Sequence, residues 1–314
     1  MKKIVIYIMT VLLCVSTSCE RRPLTVADYT VTVNITIDKD IVNYEMTREP
    51  SLMRCIFYDS ESGAFITQAF LPPTGGDVSL IPARSYDVLV YNFDTESTWI
   101  EDENWFGNIY ASTSLIPDSF RTKLRSRSTK TDEESIVYDP DHLYVGRLHD
   151  VFIPSRAVEA PKVILDVECK TVVETWLLEV RIVSGQENIG TMAGVITGLT
   201  EKNKIGLDER SESFVTVYFD NQTINSDGLL EAKFNTFGWN QRIPEEQVLT
   251  LVFTDIAGNG HVFNYDVSNQ FIDNPEQIIR IYTEIDIPKP MTGGDGGFVP
   301  KVDEWDEINT DIII

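Results

Sequence analysis

The chain has 314 residues and a mass of 35.6 kDa, enough for two domains that each bury a core. Its 49 Asp and Glu outnumber 26 Lys and Arg, giving a net charge of −23, which excludes a protein that works by neutralising a phosphate backbone, because that requires clustered cations. With 42% hydrophobic and 10% aromatic residues the composition is that of a folded chain and not of an acidic disordered one, and three His with four Cys leave little for a Cys/His metal site.

Lys2 and Lys3 precede an apolar run at 4–15, and Ser16, Thr17 and Ser18 then lead into Cys19. Twelve apolar residues form roughly 18 Å of helix, short of the roughly 30 Å hydrocarbon core, so the run reads as an export signal and not as a span. Small residues directly before a Cys have the form of a bacterial lipoprotein signal, with residues 1–18 removed and Cys19 acylated. Cys14 lies inside the apolar run and leaves with it. Cys55 and Cys169 fall in apolar strand patterns and are expected as buried free thiols before a disulfide.

Beyond the signal, alternation of apolar and polar residues predicts strands. At 29–37, Tyr29, Val31, Val33, Ile35 and Ile37 share one face. Further strands are predicted at 52–58, 64–71, 77–80 and 86–93, separated by turn residues at 62–63 and 72–76 that suggest hairpins. Residues 95–139 lose the pattern and are expected to form a long crossover loop with a weakly helical stretch at 119–124. A proline-bracketed linker at 153–161 precedes a second cycle of strands at 163–169, 174–183, 193–199, 214–219, 229–234, 248–254, 261–267 and 278–287. Without strand-helix-strand periodicity a parallel sheet is not expected. The chain therefore reads as all-β, with little helix and two tandem antiparallel β-sandwiches, one at 19–157 and one at 158–288.

Residues 289–314 form a tail. Pro288 and Pro290 end the last strand, Gly293, Gly294, Gly296 and Gly297 form a hinge, and Trp305, Ile308, Ile312, Ile313 and Ile314 follow among acidic residues. Burying each isoleucine is worth roughly 1.5–3 kcal/mol, so this segment is expected to find a sheet edge, in its own second domain or in another subunit as a donor strand.

Catalytic signals are sparse. His142, His149 and His261 lack metal-ligand spacing, and no phosphate-binding loop or nucleophile elbow occurs. Glu96, Glu101, Asp102 and Glu103 crowd around Trp99 and Trp105; two carboxylates beside an aromatic could serve a glycosidase, or several could hold calcium, but a solvated acidic loop is the default. Arg121, Lys123, Arg125, Arg127 and Lys130 form one basic run, read as a solvated loop. No enzyme, metal or cofactor is expected. Trp99, Trp105, Trp239 and Tyr110 motivate an alternative, a glycan-binding surface lipoprotein, because aromatic rings stack on sugars.

Three pieces, Ser18-Cys19-Glu20-Arg21-Arg22-Pro23-Leu24, the 29–37 strand and Pro82-Ala83-Arg84-Ser85-Tyr86-Asp87-Val88-Leu89-Val90-Tyr91-Asn92-Phe93-Asp94, together with the Gly-rich hinge before Asp303-Glu304-Trp305-Asp306-Glu307-Ile308-Asn309, resemble the fimbrillin-like lipoproteins of Bacteroides-type bacteria, the type V pilus subunits and anchors. The resemblance implies transthyretin-like sandwiches, a non-enzymatic role in a pilus or in adhesion, an outer-membrane or fimbrial location, attachment to lipid through Cys19, and assembly with other pilus subunits or a surface ligand. It also implies that an arginine-specific protease cuts stalk subunits after an early strand, for which Arg48 is the matching position, whereas anchors keep that strand.

Overall fold

The computed structural model describes residues 29–46, 48–117, 134–155, 162–220, 222–224, 227–243, 245–289 and 308–309. These are built almost wholly of strands: β1 (Tyr29–Ile37), β2 (Met53–Asp59), β3 (Phe65–Leu71), β4 (Gly75–Leu80), β5 (Arg84–Asn92), β6 (Thr98–Glu101), β7 (Tyr110–Thr113), β8 (Ser135–Tyr138), β9 (Tyr144–Ile153), β10 (Ile164–Thr171), β11 (Glu174–Ser184), β12 (Ile189–Thr200), β13 (Asn203–Lys204), β14 (Glu209–Arg210), β15 (Phe214–Phe219), β16 (Gln222–Ile224), β17 (Leu229–Thr236), β18 (Val248–Asp255), β19 (Gly260–Asp266), β20 (Ile278–Asp286) and β21 (Ile308–Asn309). Two single 3-10 turns, Gln186–Asn188 and Ser268–Gln270, interrupt them. The all-β expectation is met; the helical stretch expected at 119–124 lies outside the described residues.

Sheet I runs β3-β2-β5-β9-β10-β1-β4 and rolls so that its end strands β3 and β4, neighbours in sequence, approach one another. Its inner face buries Val31 and Val33 of β1 with Cys55 and Phe57 of β2, Tyr86 and Val88 of β5, and Val167 and Cys169 of β10 in one core. Close packing needs Gly146 on β9, where a Cβ would stand 2.4 Å from Val167 Cγ1 and 2.8 Å from Cys169 Sγ. β2 and β5 are apolar on both faces because the outer face is covered too. Ile56, Tyr58, Leu89 and Tyr91 pack outward against Phe106, Ile109, Ala111, Ile205 and Phe237.

Sheet II, β16-β17-β11-β20, and sheet III, β21-β19-β18-β12-β15-β8, face each other across a second core in which Trp176, Leu178 and Phe234 meet Leu249, Leu251 and Phe253. Sheet IV, β14-β13-β7-β6, is small and covers the outer face of sheet I.

Two expectations are corrected. Pairing is mixed and not purely antiparallel: β1–β10, β11–β20, β15–β8 and β19–β21 run parallel. Parallel partners require long crossovers, and here the intervening strands of the sandwich supply them in place of helices. Residues 95–139 are not a bare loop, since β6, β7 and β8 lie within them; each has four residues, too few for a period-2 pattern to stand out. β9 was hidden by a bulge, where His149 and Asp150 oppose Asp87 alone and Asp150 takes φ 48°. The ladders also cross the boundary drawn between 157 and 158 in both directions. β8, from before it, joins sheet III, and β10, from after it, joins sheet I.

Candidate functional site

β1 is an interior strand. It pairs in parallel with β10 from Thr32↔Ile164 to Ile37↔Cys169, and in antiparallel with β4 from Tyr29↔Leu80 to Asn34↔Gly75. Tyr29, Val31, Val33 and Ile35 point into the sheet I core, at 8%, 0%, 0% and 8% exposure. The outward side chains are tied across the ladders. Thr32 Oγ1 donates to Asp77 Oδ1 at 2.6 Å, Asn34 Nδ2 donates to Asp166 Oδ1 at 2.9 Å, and Lys162 pairs with Asp77 at 3.0 Å. The Thr32 hydrogen bond, and after it Lys162, hold the Asp77 carboxyl below its ordinary value.

The chain after β1 reaches the stretch just before β20 and returns. Asp38 N donates to the Cys169 carbonyl at 2.9 Å, and Asn43 Nδ2 donates to the carbonyls of Glu276 and Gln277 at 2.8 and 3.0 Å. Met46 packs against the sheet I core and Pro50 is buried. Arg48 lies exposed between them, lining a small cleft with Asp94, Glu96, Asp141 and His142. Burial pushes the His142 pKa down to about 4 against the pull of Asp141, and its ring nitrogens lie 3.1 Å from Thr171 Oγ1 and 2.9 Å from Thr175 Oγ1.

At the other end of the chain, β21 is held to β19 by Phe263↔Ile308 and Asn264↔Asn309. Trp305, Ile312, Ile313 and Ile314 lie outside the described residues, as do Cys19 and the basic run at 121–130.

Two of the carboxylates around Trp99, Glu101 and Glu103, are engaged in holding the fold. Glu103 binds the Arg54 guanidinium through both oxygens and accepts the Tyr91 hydroxyl at 2.6 Å. Glu101 accepts Tyr110 Oη at 2.8 Å and Ser112 Oγ at 3.1 Å, and the first of these pushes the Tyr110 phenol up to about 12. Asp102 takes φ 55° at the turn after β6. Among the described residues no three His, Cys, Asp or Glu converge as a metal set. Trp99 and Trp105 are exposed at 59% and 49% and sit apart from Trp239, which packs against the sheet II/III core and lines a separate cleft. Sequence reasoning missed Arg54, whose guanidinium lies 5.1 Å from the Phe93 ring centroid and 5.7 Å from that of Phe70. Cys55 and Cys169 are buried and free; burial pushes the Cys169 thiol up to about 12 and that of Cys55 higher.

Comparison with known proteins adds a family and a fold. A family model described as a domain of unknown function, DUF5119, matches residues 18–220. A Bacteroides ovatus protein assigned as the fimbrium anchoring subunit Fim4B is 31% identical over 205 residues, covering 65% of this chain and 56% of that protein. The match thus spans little more than half the length of that curated relative. Among solved structures, a candidate adhesin from Bacteroides ovatus aligns with a TM-score of 0.64 at 23% identity, over 88% of this chain and 99% of the other. The fimbrial anchor protein Mfa2 from Porphyromonas gingivalis aligns with a TM-score of 0.50 at 11% identity, over 81% and 90%. These two likenesses are likenesses of fold.

Proposed function

The chain belongs to the DUF5119 family and is similar to a protein named for anchoring a fimbrium, and we propose that it is a non-enzymatic cell-surface component of a fimbrium, fixed to the outer membrane through acylated Cys19 and joined to other pilus subunits by strand addition. On this reading the two units are transthyretin-like sandwiches in tandem.

The observation that carries the anchor reading is the position of β1. Only nine residues separate Cys19 from Tyr29, so a lipid on Cys19 is tied almost directly to an interior strand. Burial of its four inward side chains is worth about 6–12 kcal/mol, an upper figure, comparable with the 5–15 kcal/mol net stability of a whole domain. Cutting at Arg48 and losing β1 would unfold sheet I unless another strand filled the slot between β4 and β10. Keeping β1 makes the core itself the mechanical link to the membrane. The exposed Arg48 is then a processing site only in a subunit that receives a donor strand, and the 308–314 segment is the donor this chain offers.

The test is the amino terminus of the mature protein in its native outer membrane. A fatty-acylated Cys19 followed by an uncut chain through Arg48 is expected, with label from radioactive palmitate lost in Cys19→Ala. A free amino terminus at Glu49 would replace the anchor reading with that of a polymerising subunit, and an unacylated Cys19 would remove the lipid from it.

A further inference from the structure

Strand directions bring five exposed apolar side chains to one end of sheet I. β1 starts there, with Tyr29 opposite Leu80 at the end of β4 and Thr32 opposite Ile164 at the start of β10. Arg84, the first residue of β5, pairs with Ile153, the last of β9, and Ser85 pairs with Phe152. Tyr58 pairs with Phe65 where β2 turns into β3. The connection between β6 and β7 reaches the same turn, since Ala64 bridges to Trp105 and Phe65 N donates to the Asn104 carbonyl at 2.9 Å. This end therefore carries Phe65, Ile81, Trp105, Phe152 and Ile164, exposed at 40%, 43%, 49%, 60% and 56%. Single exposed apolar residues are ordinary on a folded surface, but a set gathered at one end marks a contact.

Where the chain enters sheet I identifies what they meet. Nine residues lie between Cys19 and Tyr29, a tether of roughly 35 Å at full stretch, and it joins sheet I at this end. The opposite end leads away. There Asp38 N, just after β1, donates to the Cys169 carbonyl, and β10 passes into β11. With a lipid on Cys19, the five side chains are thus what the tether brings towards the bilayer. Trp and Phe suit the boundary between headgroups and acyl chains, because their large apolar rings bury well there and the indole N–H keeps a polar partner.

Charge narrows the lipid. Asp59, Glu61, Arg84 and Asp150 share a cleft with Phe152. Arg84 neutralises Asp59 through a pair at 2.6 Å, whereas Glu61 and Asp150 stand exposed. Surplus carboxylates repel an anionic surface and complement the outward ammonium of a zwitterionic headgroup. We propose that this end of sheet I is a membrane-contact surface, with Phe65, Ile81, Trp105, Phe152 and Ile164 seated at the headgroup boundary of a zwitterionic bilayer. The proposal rests on the lipid-anchor reading and deepens it: the acyl group holds the chain at the membrane, and the five side chains set its orientation.

The experiment joins the mature chain, residues 19–314, to a maleimide phospholipid through Cys19, the buried Cys55 and Cys169 being out of reach. The tethered protein is placed in phosphatidylcholine vesicles with and without bromine on the acyl chains, which quenches an indole in contact with them. Quenching is expected. It should disappear in Trp105→Phe and persist in Trp99→Phe. The double variant Phe152→Asp, Ile164→Asp should lose the quenching while staying on the vesicles; both positions are exposed, and an unchanged melting temperature checks its fold. Ile81→Asp alone should reduce the quenching. Because a synthetic lipid supplies the tether, an unacylated Cys19 in cells would remove the anchor reading and leave the vesicle result standing. Absence of quenching in the tethered parent would overturn the proposal, as would quenching untouched by the double variant or seen only with added phosphatidylglycerol. Shielding of Trp105 from aqueous acrylamide without bromine quenching would also overturn it, since a protein neighbour would then cover this end.

Discussion

The carbonyl oxygen of Val33 lies 1.9 Å from where a Cβ on Gly75 would stand, so β4 meets β1 only because residue 75 has no side chain. Gly75 also takes φ +96°, a conformation that L side chains rarely adopt. Gly75→Ala therefore has to push β4 off β1 or strain the backbone, with a cost of about 2 kcal/mol or more. A fall in melting temperature of several degrees is expected, and melting within 1 °C of the parent would show that the edge yields freely.

Glu103 carries three interactions at the outer face of sheet I: two to Arg54 and one from Tyr91 Oη. The Arg54 side chain is only 11% exposed, with Gln68 as its other hydrogen-bond partner. Glu103→Ala strands a largely buried cation, and breaking such a pair from one side typically costs about 3–5 kcal/mol when fully buried. Glu103 is itself part exposed, so about 2 kcal/mol is expected. Adding Arg54→Met to make the double variant should recover part of the loss; urea unfolding of the four members of the cycle measures it.

What the sequence disclosed and what it hid follow from the range of each signal. Such patterns are local, so the alternating β1 and the continuous β-branched and aromatic run of β15 were legible to the residue. Parallel pairing of β1 with β10 leaves no local mark, because the partners are far apart in the chain and the strand pattern is the same for either direction. Asp150 at φ 48° breaks the alternation of β9 where a bulge turns it, and the four-residue β6 and β7 are shorter than the window in which periodicity can be read. The aromatic residues were legible as a set but not as a site. Trp239 lines a cleft, whereas Trp99 and Trp105 are on other surfaces.

Two groups near the junction titrate in opposition. His142 is held at about 4, below its ordinary 6.5, chiefly by burial. The unfolded chain therefore takes up this proton first, and the stability tied to neutral His142 is whole above pH 6.5 and lost as pH falls towards 4. Asp139 is raised from 3.8 to about 6, again chiefly by burial. Its contribution is whole below pH 3.8 and lost as pH rises through 6. The two slopes offset across pH 4–6.5, each worth about 3 kcal/mol at most. Asp139→Asn is expected to raise the melting temperature at pH 7 and to steepen the loss on acidification, whereas His142→Gln should make the protein more stable at pH 4.5 than at pH 7. Parallel melting curves for parent and both variants across this range would remove the opposition.

The tail supplies the last prediction. Two residue pairs join β21 to β19, and a ladder so short contributes little beside β18, which pairs with β19 along seven positions from Val248↔Asp266 to Thr254↔Gly260. The β19 edge is not held up by the tail, because Phe263 and Tyr265 are already buried at 8% and 3% among residues of the sheet II/III core. Deletion of residues 290–314 is therefore expected to leave the melting of this unit within about 2 °C of the parent. If the proposed donor role of the isoleucine-rich tail is right, the same deletion should prevent recovery of the protein in high-molecular-weight fimbrial material from cells. A fall of more than about 5 °C would instead make the tail an integral sixth strand of sheet III and leave the chain without a donor. Normal incorporation of the truncated protein would show that assembly runs through a different surface.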